Sequence, residues 1–128
     1  MKVEDLSGVR LDYWVARAEH HALSCDWDQG EFILIGTGAG DLKRFSPSTV
    51  WSDGGPIIER EQISIWRYDW TVRDPINTWF ATTNGVHGWD DGSIVGVGSE
   101  SCGETALIAA MRAYVAYKFG DKVADESI

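Results

Sequence analysis

The sequence is short of proline, cysteine and positive charge. Three prolines and two cysteines occur among 128 residues, and 11 Lys and Arg face 20 Asp and Glu, for a net charge of −9. A deficit of cations opposes any duplex-binding role that works by neutralising phosphates. No run approaches the roughly 18 consecutive apolar residues of a spanning helix, so membrane insertion by that route is not expected. Met1-Lys2-Val3-Glu4-Asp5-Leu6 has no basic segment leading into an apolar stretch. Without such a secretory signal the expected compartment is the cytosol, where the distant Cys25 and Cys102 are expected as free thiols. There is also no internal repeat, low-complexity tract or proline-rich linker. One domain over 1–128 is therefore expected, with 121–128 as a short acidic tail.

Recognisable catalytic signatures are missing as well. The chain carries no Gly-x-Ser-x-Gly elbow, no Walker loop and no His-Glu-x-x-His, so no cofactor and no catalytic set is expected. Gly36-Thr37-Gly38-Ala39-Gly40 invites a dinucleotide-fingerprint reading, but Asp41-Leu42-Lys43-Arg44-Phe45-Ser46-Pro47 supplies no helix to receive pyrophosphate. A hairpin or loop is the better reading. His20-His21 with Cys25 matches no strong zinc-ligand spacing, and Asp90-Asp91 reads as an exposed turn rather than a metal pair.

What the sequence has in excess is tryptophan, at seven residues. A Trp ring is hard to bury completely, so this excess asks for sites that need one. Leu11, Trp14, Val15 and Ala18 fall on a single helical face after Ser7-Gly8. Ser101 and Glu104 have capping-box spacing ahead of Leu107, Ile108, Met111 and Val115, and Gly120 supplies a stop, which predicts a helix over 103–119. Between them, 32–35, the alternation around Ile63, Ile65 and Arg67, and 79–82 read as strands. The fold class expected is α+β: a small antiparallel sheet packed against two amphipathic helices. Trp14 belongs to a buried helix face, and Trp66, Tyr68, Trp70 and Trp79 to a sheet face or subunit interface. Trp27 and Trp89 have no assignment.

The unusual stretch is 45–61, Phe-Ser-Pro-Ser-Thr-Val-Trp-Ser-Asp-Gly-Gly-Pro-Ile-Ile-Glu-Arg-Glu. In one reading it is a pocket for an anion or nucleotide. Trp51 would stack a base, Ser46, Ser48 and Thr49 would bond phosphate or ribose, and Gly54 and Gly55 would let backbone approach the ligand. Pro56 would open a short helix, with Arg44 or Arg60 supplying charge. In the other reading the same stretch is an ordered connection whose glycines make a turn and whose serines cap the next helix.

These residues also carry a resemblance. Met1-Lys2-Val3, Leu6-Ser7-Gly8, Leu11-Asp12-Tyr13-Trp14-Val15-Ala16-Arg17-Ala18 and the block 46–61 resemble the NinX family of lambdoid bacteriophages, as do Thr105-Ala106-Leu107-Ile108-Ala109-Ala110-Met111-Arg112 and Lys118-Phe119-Gly120-Asp121. Val50 and Ser52-Asp53 depart from the Asp-Trp-Ala-Gln of that family's central motif. The resemblance implies a phage accessory protein made in the cytoplasm of the infected bacterium, and it brings no catalytic residues.

Three functions follow as expectations. The first is sequestration, by a small homo-oligomer, of a nucleotide-derived host immune signal such as a cyclic nucleotide or an ADP-ribose derivative. The second is an acidic inhibitor of a host nucleic-acid-binding or defence enzyme, suggested by the net charge. The third is a hydrolase of the same signals, for which Asp53, Glu59, Glu61 and His87 are the available donors.

Overall fold

The structure is a computed structural model that describes residues 1–21, 32–38, 40–67, 78–83, 86–87, 94–95 and 100–124. A 3-10 turn at Val3–Asp5 leads into α1 (Gly8–Ala18), which buries Leu11, Trp14, Val15 and Ala18 as their spacing predicts. Its end is a Schellman closure. His20 takes a left-handed φ of 61° and donates its N–H to the Arg17 carbonyl, while His21 N–H reaches the Ala16 carbonyl. The two histidines thus sit at a helix end, where His21 also meets the Phe45 ring edge-on.

Strands β1 (Ile33–Gly36) and β2 (Leu42–Phe45) pair antiparallel, Ile33 opposite Phe45 and Gly36 opposite Leu42. The glycine-rich segment therefore connects a hairpin and does not feed a helix. After it, residues 46–50 make a tight turn, with Val50 N–H bonding the Ser46 carbonyl at 2.8 Å, and α2 (Trp51–Glu61) begins at once. This helix corrects the sequence reading. Pro56 does not open a helix but lies within one that starts five residues earlier. Proline cannot bond the carbonyl four residues back; because Pro56 and Ser52 are both exposed, water can serve that carbonyl instead.

A left-handed Gln62 ends α2 and turns the chain into β3 (Ile63–Trp66). With β4 (Trp79–Thr83) and β7 (Ser101–Gly103) it forms an antiparallel sheet in the order β3-β4-β7. β5 (Val86–His87) and β6 (Ile94–Val95) pair separately. Trp66 stacks on Phe80 across β3 and β4, with ring centroids 5.9 Å apart. Tyr68, Trp70, Trp27, Trp89, Cys25, Asp90 and Asp91 lie outside the described residues.

The last helix, α3 (Ala106–Phe119), starts later than its capping-box spacing predicts. Ser101 belongs to β7, and the cap is Thr105, whose Oγ1 accepts the Ile108 N–H at 3.1 Å. Gly120, at a φ of 91°, ends the helix as expected. α3 is also less one-sided than the two-helix expectation implied. Leu107, Ala109, Ala110, Met111, Ala113, Tyr114 and Val115 are all buried, because the helix touches every strand of β3-β4-β7 as well as α1 and α2. Burying a side chain such as Met111, Leu11 or Val15 contributes about 1.5–3 kcal/mol, so this shared core carries most of the stability.

Residues 121–124 differ from a solvated tail. Met1 and Val3 bond Val123 and Asp121, Lys2 bridges Lys122, and Val123 is buried. Arg112 completes this junction by donating to the Leu6 and Cys102 carbonyls, both at 2.8 Å.

Candidate functional site

The turn at 46–50 is held by two carboxylates from different helices. Asp12 of α1 accepts the Ser48 N–H at 2.8 Å, and Asp53 of α2 accepts the Ser46 N–H at 2.9 Å. Lys43 Nζ stands 3.5 Å from the other oxygen of Asp53. Asp12 is only 4% exposed, and burial pushes its carboxyl up to about 6, against the lowering effect of Ser48 and Arg44. The Ser48 hydroxyl lies near that carboxyl but completes no hydrogen bond with it, and it is buried without a partner.

This turn forms one wall of a cleft of about 430 Å³. Ser48, Thr49 and Trp51 come from the turn and the first residue of α2, and Trp79 comes from β4. The floor and far edge are the start of α3, with Leu107 and Ile108 below and Glu104 and Thr105 at the rim. Trp51 is 56% exposed, an unusual state for so large an apolar ring, and an added Cβ on Gly55 would stand 3.8 Å from that ring. Arg67 covers the Trp79 ring at 5.4 Å, which leaves Trp51 as the more open stacking surface.

The candidate residues of the central stretch therefore separate. Thr49 and Trp51 open onto the cleft; Ser48 also lines it but, like Ser46, is buried in the turn. Gly54 allows a close approach, but of the protein to itself. A Cβ there would stand 2.5 Å from the Pro47 carbonyl oxygen and 2.7 Å from Leu107, so the glycine lets α2 press against the turn and α3. Arg44 donates to the Ser46 hydroxyl at 3.2 Å and lies over the Phe32 ring. Arg60 is nine residues beyond Trp51, half a turn out of phase and thus on the opposite face of α2. There it forms a two-pronged pair with Glu19, bonds Glu61 at 2.8 Å and reaches the Tyr114 hydroxyl.

In that cluster burial raises Glu19, but the hydrogen bonds from Arg60 and from the Tyr114 hydroxyl outweigh it and hold the carboxylate below its ordinary range. Burial and the same carboxylate keep the Tyr114 phenol well above its own. Of the residues named for a hydrolase, Asp53 is tied to the turn, Glu61 to Arg60, and Glu59 is exposed on α2; His87 lies in β5. Among the described residues no group of His, Cys, Asp and Glu could hold a metal ion, and no helix is long and apolar enough to cross a membrane.

Asp12, Trp79, Glu104 and Thr105 were not singled out as site residues by sequence. Asp12 carried a signal, since it directly follows Leu11 on a helix with a buried face. Glu104 and Thr105 sit where a helix start was expected, but only the fold brings that start to Trp51.

Fold and cleft together define a small α+β protein with a tryptophan-walled surface cleft, edged by a carboxylate and built where two helices begin. No curated protein matches the chain. The chain belongs to the NinX family: the family model described as Bacteriophage P22, NinX matches residues 2–118.

Proposed function

We propose that this phage protein binds a nucleotide-derived host immune signal, such as a cyclic nucleotide or an ADP-ribose derivative, and withholds it from its effector without chemical change. The observation that carries this reading is Trp51, an indole more than half exposed at the wall of a cleft rather than in the core. Base stacking on an aromatic ring contributes about 1–3 kcal/mol, so losing one such ring weakens binding by roughly 5- to 150-fold. Thr49, an exposed hydroxyl residue, borders the same space, and each hydrolase candidate with a described side chain points to structural work or to open solvent. Action in the host cytoplasm is part of this reading, as is assembly into a homo-oligomer through exposed Leu42, Tyr117 and Phe119.

A thermal-shift panel of cyclic dinucleotides and ADP-ribose derivatives tests it, followed by chromatography of whatever binds. A rise in melting temperature with an unchanged elution profile is the expected result. No shift with any member of the panel contradicts sequestration, and a new product peak contradicts a role without catalysis.

A further inference from the structure

The cleft's charge is the opposite of what a phosphate site needs. Among the described residues that line it, Glu104 is the one with an ionisable side chain, and it stands immediately before the Thr105 cap of α3. A helix start ordinarily favours an anion. Here the Glu104 carboxylate already occupies that neighbourhood, and Thr105 takes the Ile108 N–H. Arg44 and Arg60, the cations expected to serve the site, are absent from the lining and engaged elsewhere. A volume of about 430 Å³ also lies near the small end of ligand sites, which run from about 300 to 1,000 Å³.

Resting on the nucleotide reading above, we infer that the cleft takes the base end of its ligand, stacked on Trp51, with the phosphates outside in solvent. The Glu104 carboxylate then selects the base. Two acceptor oxygens side by side match an edge that offers two adjacent N–H donors, and among the common bases guanine offers such an edge through N1 and its 2-amino group. Adenine presents one donor beside an unprotonated ring nitrogen, which faces a carboxylate unfavourably, so of the signals proposed above a guanine nucleotide is favoured over an ADP-ribose derivative.

Fluorescence titration of the intact protein with guanosine, guanosine 5′-monophosphate and adenosine tests this. Guanosine and its monophosphate should bind within about threefold of one another, and guanosine about tenfold tighter than adenosine, the yield of one extra charge-assisted hydrogen bond. Glu104→Gln, at an exposed position, should keep its melting temperature and lose the guanine preference. Binding of the monophosphate without the nucleoside, equal binding of guanosine and adenosine, or a preference that survives Glu104→Gln would each overturn the inference. In all three cases the sequestration reading would stand. Silence towards every nucleoside, nucleotide and ADP-ribose derivative removes both.

Discussion

Asp12 and Gly54 show how much depends on single side chains around the 46–50 turn. The Asp12 carboxyl titrates near 3.8 when unfolded and at about 6 when folded. Between those values the folded protein keeps a proton that the unfolded chain releases, so stability falls as pH rises through that window, by about 3 kcal/mol. Asp12→Asn removes the titration while keeping an acceptor for Ser48. Its stability relative to the parent should therefore improve from pH 4 to pH 7 by about that amount, as read by urea unfolding at each pH. A difference that does not change with pH would show that Asp12 ionises normally. Glu19, held low, contributes in the opposite sense, losing its share as pH falls, and cancels because both proteins contain it. Gly54→Ala should lower stability by about 1–3 kcal/mol or more, since the new methyl meets a backbone oxygen that cannot swing aside. An unchanged unfolding midpoint would mean that α2 is free to withdraw from the turn. Trp14's burial was legible in its helical spacing. Gly54's role was not, because composition marks a close approach without saying what approaches.

At the level of elements, α1 and the strands at 33–36, 63–66 and 79–83 were legible locally, α1 from its helical spacing, the middle strand from its alternation and the other two from short β-prone runs. α2 was not. Gly54-Gly55-Pro56 reads locally as a break, and the helix persists through packing of Gly54 and Ile57 on the rest of the protein rather than through propensity. The start of α3 slipped for a related reason: two hydroxyl residues four apart compete for the cap, and the pairing of Ser101 with Ala81 decides between them. The end of α1 gives a prediction that belongs to this scale. His20 holds a left-handed conformation that glycine adopts without penalty, so His20→Gly should stabilise the protein by about 1 kcal/mol in thermal or urea unfolding. A loss of stability would mean that the His20 side chain contributes more than its backbone strain costs. Arg60 ties the end of α1 to α2 and α3 through Glu19 and Tyr114. Arg60→Ala should cost about 1 kcal/mol of stability, less in high salt, with ligand affinity unchanged. A selective loss of affinity would return Arg60 to the binding site.

For the molecule as a whole, the net charge and the tryptophans have different standing. The charge of −9 disfavours duplex DNA but does not name a partner, whereas the fold separates the four described rings by role. Trp14 closes the core against Tyr13 and Phe119, Trp66 and Trp79 dress the sheet, and Trp51 stands open at the cleft. One wall of the candidate site was legible in the 45–61 stretch. The rest, Trp79 with the start of α3, comes from chain about 30 to 60 residues away, and no local pattern records that meeting. Calorimetric titration of the parent protein and Trp51→Ala with the strongest binder among nucleotide-derived signals tests the central claim most directly. The parent should bind and Trp51→Ala should lose about 1–3 kcal/mol of affinity, at a melting temperature close to the parent's. Equal affinities in the two proteins, or loss of affinity only through loss of the fold, would contradict the claim that this cleft holds the ligand.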